Sequence, residues 1–246
     1  MAPGFTVSLA GIPIHVTPLC PEIYNFFSGF ISEEAPVFSI ATTEKDLEKE
    51  RIFADRTYKG TRTPGTPWPK RYLETIFLLR AIAAKIYAYD VLLFHGSAVA
   101  FEEKAYLFAA PSGTGKTTHM QLWLDQLPGA YVLNGDKPFL RLLPDGQVLA
   151  CGGPWKGKEK LGGNIILPLE AVCLLERSEE NWITPVLPQE AMDRMLRQTH
   201  LPEEPVAMIR TLQLLDRITG KVRLFRLGCN MEPEAAQTSI RAMIPQ

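Results

Sequence analysis

Apolar and polar positions alternate in short bursts at both ends of this chain and follow a helical period between them. Phe5 to Leu9 and Ile12 to Val16 alternate on either side of Ala10-Gly11, which predicts a hairpin. Val37 to Ala41 predicts another strand, and the rest of residues 1–62 has no readable period. Thr61 to Pro69 carries three prolines and reads as a loop or linker. From about Lys70 to Tyr89 the spacing is helical. Arg71, Glu74 and Lys85 fall on one narrow face and nearly everything else is apolar, which predicts a mostly buried helix. Arg80 lies opposite that charged face, either as an ion-paired core residue or directed toward a ligand.

The rhythm changes at Val91. Val91 to Phe94, Ser97 to Phe101 and Lys104 to Ala109 are short apolar runs. Glu102-Glu103 separates the last two, as in an antiparallel hairpin. A helix is expected over His119 to Leu127, then a strand over Ala130 to Leu133 that runs into Asn134-Gly135-Asp136. Phe139 to Leu143 and Gln147 to Cys151 flank the turn Pro144-Asp145-Gly146 as a second hairpin. A loop over 152–164, a buried strand over Leu169 to Glu176, helices near Pro188 to Arg197 and Val206 to Ile218, a strand over Lys221 to Leu227 and a helix over Pro233 to Met243 complete the chain. Hairpins on both sides of the central segment predict an α/β fold whose sheet is mixed, in contrast to the parallel sheet of alternating strands and helices. The expected organisation is a smaller α+β region over 1–69 with a Pro-rich linker, then a larger unit over 70–246 with its core at 91–246.

Composition narrows the function class. The chain has 246 residues, 46% of them hydrophobic, enough for a sizeable core. A net charge of −1 leaves no electrostatic footprint for nucleic acid. Cys20, Cys151, Cys173 and Cys229 are far apart and form no C-x-x-C pair, which fits reduced thiols in a cytoplasmic protein. The first residues lack the basic start and long apolar run of a secretory signal. The most apolar long segment, Tyr72 to Phe94, contains Glu74, Arg80, Lys85 and Asp90 and is not expected to span a membrane.

The candidate chemistry lies between these hairpins. Ala110-Pro111-Ser112-Gly113-Thr114-Gly115-Lys116-Thr117-Thr118 fits the phosphate-binding loop pattern, with Ala110 where glycine is usual. A strand precedes it and a helix follows it, the context the pattern needs. The glycines let successive N–H groups turn inward toward phosphate oxygens, and the helix start adds unpaired donors. Lys116 is placed to reach the β- and γ-phosphates of ATP, and the Thr117 hydroxyl to ligate Mg²⁺. Asp136 follows about twenty residues later at the same edge of the sheet. It could hold Mg²⁺ or accept a proton from an attacking hydroxyl, or be an ordinary turn aspartate. His95, in His95-Gly96-Ser97, is either a hydrogen-bonded structural residue or a site residue. The segment Gly152 to Lys160, with Trp155, Lys156, Lys158 and Lys160, suits a lid over phosphates, a site for an acidic substrate or a solvated surface loop. Lys137, Arg141 and Arg177 are weaker candidates: Lys137 could pair with Asp136 or with phosphate, and Arg141 and Arg177 read equally as site residues or surface charges.

Taken together, His95-Gly96-Ser97-Ala98-Val99, the hairpin, the loop Ser112 to Thr117 and the acidic strand end resemble the catalytic domain of HPr kinase/phosphorylase. They are also similar to the nucleotide-binding core of phosphoenolpyruvate carboxykinase. The resemblance covers about 91–246, with strong motifs only in 95–136. It implies a mixed-sheet kinase core and nucleotide-dependent phosphoryl transfer, in the HPr kinases to a protein serine; for a divergent relative such as this chain the expected acceptor is a hydroxyl of a protein, peptide or small molecule. By position it implies Lys116 and Thr117 as nucleotide and Mg²⁺ residues, Asp136 as an acid of the family's paired motif, and His95 as the family's histidine. It also implies a homo-oligomer, for which the late segments carry no readable signature. Two departures stand out. Gly135-Asp136 replaces two adjacent acids, and the late basic signature that supports phosphorylase activity is absent. A non-catalytic ATP-binding sensor or scaffold is therefore the alternative to a kinase. A decarboxylating enzyme ranks behind both, because no metal-ligand set for its substrate is visible.

Overall fold

A computed structural model of the chain describes residues 3–57 and 66–245. The expected linker Thr61 to Pro69 therefore lies partly outside the described residues; its last four are irregular.

The N-terminal sheet is built from β1 (Phe5–Leu9), β2 (Ile12–Thr17) and β3 (Phe38–Ala41). β1 and β2 form the expected antiparallel hairpin, and β3 adds to β2 in parallel. Two helices that no period announced accompany this sheet, α1 (Glu22–Phe26) and α2 (Glu44–Thr57). α2 is so rich in charge that only Leu47, Glu50 and Ala54 are buried. Its start is nonetheless encoded locally. The Thr43 N–H and hydroxyl donate to Asp46 Oδ2, and the Asp46 N–H reaches back to Thr43 Oγ1, a reciprocal cap.

α3 (Lys70–Ile86) matches the expected buried helix but ends three residues early. Tyr87–Tyr89 tightens into a 3₁₀ turn, and Asp90 takes a left-handed conformation that ends it. The expected charged face also needs correction. Glu74 is fully buried, and its carboxylate accepts from the N–H groups of Leu19 (2.7 Å) and Cys20 (2.8 Å). A turn with orphan N–H groups needs such an acceptor. Arg80 pairs with Glu50 at 3.6 Å, in keeping with the ion-paired alternative.

Among the described residues the second sheet has nine strands and is mixed. β4 (Val91–Leu93), β8 (Phe139–Leu142) and β9 (Val148–Cys151) are each antiparallel to the next, and β9 pairs with the first residues of the long β10 (Ile166–Arg177). Further along, β10 pairs in parallel with β6 (Lys104–Ala109) on one side and β12 (Arg223–Cys229) on the other. β5 (Ser97–Phe101) is antiparallel to β6 and to β7 (Tyr131–Asn134), and β11 (Trp182–Pro185), which the sequence reading omits, edges β12.

Alternation along these strands feeds two cores. Ala105, Leu107 and Ala109 of β6 face α5 (Pro188–Gln198) and α6 (Pro205–Thr219), in a cluster with Met195, Leu214 and Ile218. Tyr106 and Phe108 face α4 (Lys116–Gln126) and α7 (Pro233–Met243), beside Trp123 and Met243. Burying each such side chain stabilises the fold by roughly 1.5–3 kcal/mol. A third cluster joins β1 and β2 to α3 and to Phe139, Cys151 and Trp155, so the N-terminal sheet shares apolar core with β8 and β9. Among the described residues no helix is long and apolar enough to cross a membrane, and all four cysteines are free thiols.

Candidate functional site

Strand direction gathers the candidate residues at one edge of the large sheet. β6 and β10 are parallel, with Ala109 opposite Leu174, so the loop after β6 and the end of β10 emerge side by side. β5 runs the other way and begins at that edge, with Ser97 opposite Phe108, which brings His95 there. β7 is antiparallel to β5, and its last residue, Asn134, pairs with Ala98. Asp136 therefore leaves the sheet at the same edge.

The loop from Ala110 to Gly115 is open to solvent over Pro111, Ser112 and Gly113. Gly113 (φ +79°) and Gly115 (φ +122°) hold conformations that side-chain-bearing residues rarely adopt. α4 starts at Lys116 rather than at the expected His119, with Gly115 as its N-cap. Thr114 N–H bonds to Pro111 and His119 N–H to Gly115. The N–H groups of Ser112, Gly113, Gly115, Lys116, Thr117 and Thr118 have no intramolecular acceptor among the described residues. Six donors at a helix start suit an anion. Lys116 folds inward: its ammonium donates to the carbonyls of Ala110 (2.7 Å) and Pro111 (3.3 Å) and is mostly buried. Burial pulls its pKa down, and the Asp136 carboxylate opposes that shift. Thr117 and Thr118 are exposed on the first turn.

Asn134, absent from the sequence-based site, organises the acidic turn. It is fully buried; its Oδ1 accepts from the N–H groups of Asp136 (3.0 Å) and Lys137 (2.7 Å), and its Nδ2 donates to Gly153 O at 3.0 Å. The Asn-Gly-Asp string is a recognised turn former and was the available signal. The β7 strand thus ends at Asn134, two residues before Asp136. Asp136 holds its neighbours by main chain and side chain. Its carbonyl accepts from Gly96 N–H at 2.9 Å, its Oδ1 lies 3.4 Å from His95 Nε2, and its Oδ2 accepts from Lys137 Nζ. Burial pushes this carboxyl up, but His95 and Lys137 outweigh it and hold it at about 2. It is ionised at neutral pH. Of the two alternatives for Lys137, the pair with Asp136 is the one observed.

The loop over 152–164 packs along the acidic turn. Gly135 N–H donates to Leu161 O, and Gly163 N–H to Leu133 O, both at 3.2 Å. Trp155, read as a feature of a lid, is instead a core side chain against Phe26, Phe27 and Phe139. Its indole N–H donates to Thr75 O at 3.0 Å. Lys156, Lys158 and Lys160 make no ion pair among the described residues. The two arginines, weaker site candidates that read equally as surface charges, have defined partners. Arg141 donates to Ala10 O (2.9 Å), and Arg177 donates to Gly113 O (2.6 Å), bracing the loop over 110–115.

A cavity of about 370 Å³ opens beside this loop, lined by Ala110, Pro111, Thr114, Arg177, Arg194 and Gln198 among others. Gln198 ties it to the acidic turn, since its carbonyl accepts from His95 N–H at 2.7 Å. Its side-chain Oε1 is buried without a partner among the described residues. No sequence pattern marks Gln198, because α5 lies some sixty residues from Asp136.

The orphan donors and the inward ammonium fit a polyphosphate. The Thr117 hydroxyl and the Asp136 carboxylate are hard oxygen donors of the type Mg²⁺ takes alongside phosphate oxygens. No protein-family model matches the sequence, and no curated protein matches it. Among solved structures it is similar to the Hpr(Ser) kinase/phosphatase from Coxiella burnetii, at 10% identity over 61% of this chain and 94% of that one, with a TM-score of 0.37.

Proposed function

We propose that this chain is an ATP-dependent phosphotransferase that moves the γ-phosphoryl group to a hydroxyl of a protein, peptide or small molecule. The observation that carries this reading is the six orphan N–H groups and the Lys116 ammonium sharing one sheet edge with the ionised Asp136. The loop donors and Lys116 bind and orient the phosphates, which supplies most of the rate in a reaction with a loose transition state. Thr117 and Asp136 would hold Mg²⁺, which would supply neutralisation of phosphate charge. The acceptor oxygen bonds to the γ-phosphorus as its bond to the leaving diphosphate breaks, and the hydroxyl proton passes to Asp136. A carboxylate held near 2 is a weak base. Its part is to orient the hydroxyl and take the proton late. His95 keeps the carboxylate ionised and positioned.

A nucleotide-binding module without turnover is the second reading. Gly135 favours it, since that position leaves Asp136 as the single acid of the turn. Transfer of label from γ-labelled ATP with Mg²⁺ to L-serine, glycerol and a serine-containing peptide separates the two. The kinase reading expects transfer that disappears in Lys116→Ala. It expects Asp136→Asn to bind metal-free nucleotide as the wild type does and to lose transfer by a hundredfold or more. Wild-type transfer rates in Asp136→Asn would overturn the assignment of Asp136. Tight binding with no transfer to any acceptor would favour the module.

A further inference from the structure

α2, α3 and the turn after α5 enclose a cleft of about 570 Å³ that the phosphotransferase reading does not use. α2 presents Asp46, Glu50 and Phe53 to it, residues spaced to share one helix face, and α3 answers with Phe77 and Arg80. His200 and Glu203 close the third side.

Glu50 is the unusual group. It is only 8% exposed, and its Oε1 lies 3.6 Å from Arg80, beyond hydrogen-bond reach. Its Oε2 is buried with no partner among the described residues. The Arg80 guanidinium is itself committed to the face of Phe53, 3.8 Å from the ring centroid. Burial pushes the Glu50 carboxyl up, Arg80 pulls it down, and Glu203 and Asp46 add to the push. Leaving one oxygen of a buried carboxylate bare is expensive. A void of about 20 Å³ on the other side of Glu50 has room for one water, which hydrates a carboxylate without neutralising it.

The lining of the cleft is acidic on balance. Four lining carboxylates face two basic side chains, Lys49 and Arg80. Asp46 and Glu204 are engaged in capping α2 and α6, so their charge is felt but their oxygens are partly taken. Glu203 is exposed and in no ion pair among the described residues. His200 is held neutral, because burial and then Arg80 lower its pKa. The walls supply apolar surface through Phe77, Ala81 and Ala84 for the stem of a ligand.

We propose that this cleft binds an organic cation bearing N–H donors, an alkylguanidinium or alkylammonium group, with Glu50 as the buried acceptor and Glu203 as the second carboxylate at the mouth. The group belongs either to a free amine or to a basic side chain of a polypeptide, and the chemistry is the same for both. The site does not depend on the phosphate loop being a nucleotide site.

The test is a titration of the intact chain with propylguanidinium chloride at constant ionic strength, read from the His200 ring NMR signals assigned by His200→Gln. An acetylated and amidated Gly-Arg-Gly tripeptide forms a second arm. Saturable shifts are expected, with tetramethylammonium, which has the charge but no N–H, giving none. Glu50→Gln is expected to weaken binding tenfold or more, and the exposed Glu203→Gln by two- to threefold with unchanged folding. Both variants should bind MgADP within twofold of wild type, which keeps this test apart from the nucleotide reading. Tighter binding of the tripeptide than of propylguanidinium assigns the cation to a polypeptide, and the reverse assigns it to a free amine. Absence of saturation with both probes, an equal response to tetramethylammonium, or wild-type affinity in both variants would overturn the proposal.

Discussion

The carbonyl oxygen of Lys156 sits 2.8 Å from where a β-carbon on Gly135 would be. The loop over 152–164 therefore approaches the acidic turn too closely for any side chain at 135, and a second carboxylate beside Asp136 requires the loop to move. Gly135→Asp is expected to destabilise the fold by about 1–3 kcal/mol, the range for forcing atoms into a packed site. It should also speed tryptic cleavage after Lys156, Lys158 or Lys160. Urea unfolding and timed proteolysis check both. Unchanged stability and cleavage would mean that the loop yields freely.

Trp155 anchors the same loop from the other side, with Phe26 and Phe27 both 5.6 Å away between ring centroids. Trp155→Ala removes a large buried ring and leaves the Thr75 carbonyl without its donor. A loss of about 3–5 kcal/mol is expected in denaturant unfolding. A loss under about 1 kcal/mol would contradict its place in the core.

His119 gives the fold a pH dependence of fixed sign. Its ring is buried against Phe108, Nε2 meets Ser239 Oγ at 2.9 Å, and burial lowers its pKa from 6.5 to about 4. Between those values the unfolded chain takes up a proton that the folded chain does not. Stability therefore falls as pH is lowered from about 6.5 to about 4, by up to about 3 kcal/mol at 1.36 kcal/mol per unit. Burial of His200 acts in the same direction. Comparing the wild type with His119→Gln isolates the His119 share, and the variant's profile should be flatter over this window. Parallel profiles would contradict the assignment.

Arg177 braces the loop over 110–115 through Gly113 O at 2.6 Å while its side chain stays at the surface. Arg177→Ala is expected to change folding stability by no more than about 0.5 kcal/mol. Nucleotide affinity should fall about fivefold, as a charge-assisted bond that orders the loop is lost. Calorimetry of MgADP binding checks it. Unchanged affinity would leave Arg177 without a part in the site.

Much of the large sheet was legible because strand and turn signals are local. The Glu102-Glu103 and Pro144-Asp145-Gly146 turns, and the apolar runs beside them, lie where the period puts them. α2 escaped because its apolar stripe is thin, although the Thr43 to Asp46 cap was readable. β11 escaped because an edge strand needs little apolar sequence. Within the candidate site, Lys116 and the loop glycines declare themselves by spacing. Asn134 hides in a turn string, and Gln198 and Arg177 are brought in by β10 and α5, which no local pattern relates to the loop. The buried Glu74 and Glu50 break the rule that charge marks a surface, and only their tertiary partners reveal it.

The proposed phosphotransferase needs the main-chain donors between residues 112 and 118 to close on a polyphosphate with the Lys116 ammonium behind them. Isothermal titration of the intact chain with MgATP, beside Lys116→Ala, tests it most directly. The account expects one saturable site in the wild type and at least a hundredfold loss in the variant, with thermal unfolding of the two proteins alike. No binding at millimolar MgATP, or equal affinity in wild type and Lys116→Ala, would contradict it.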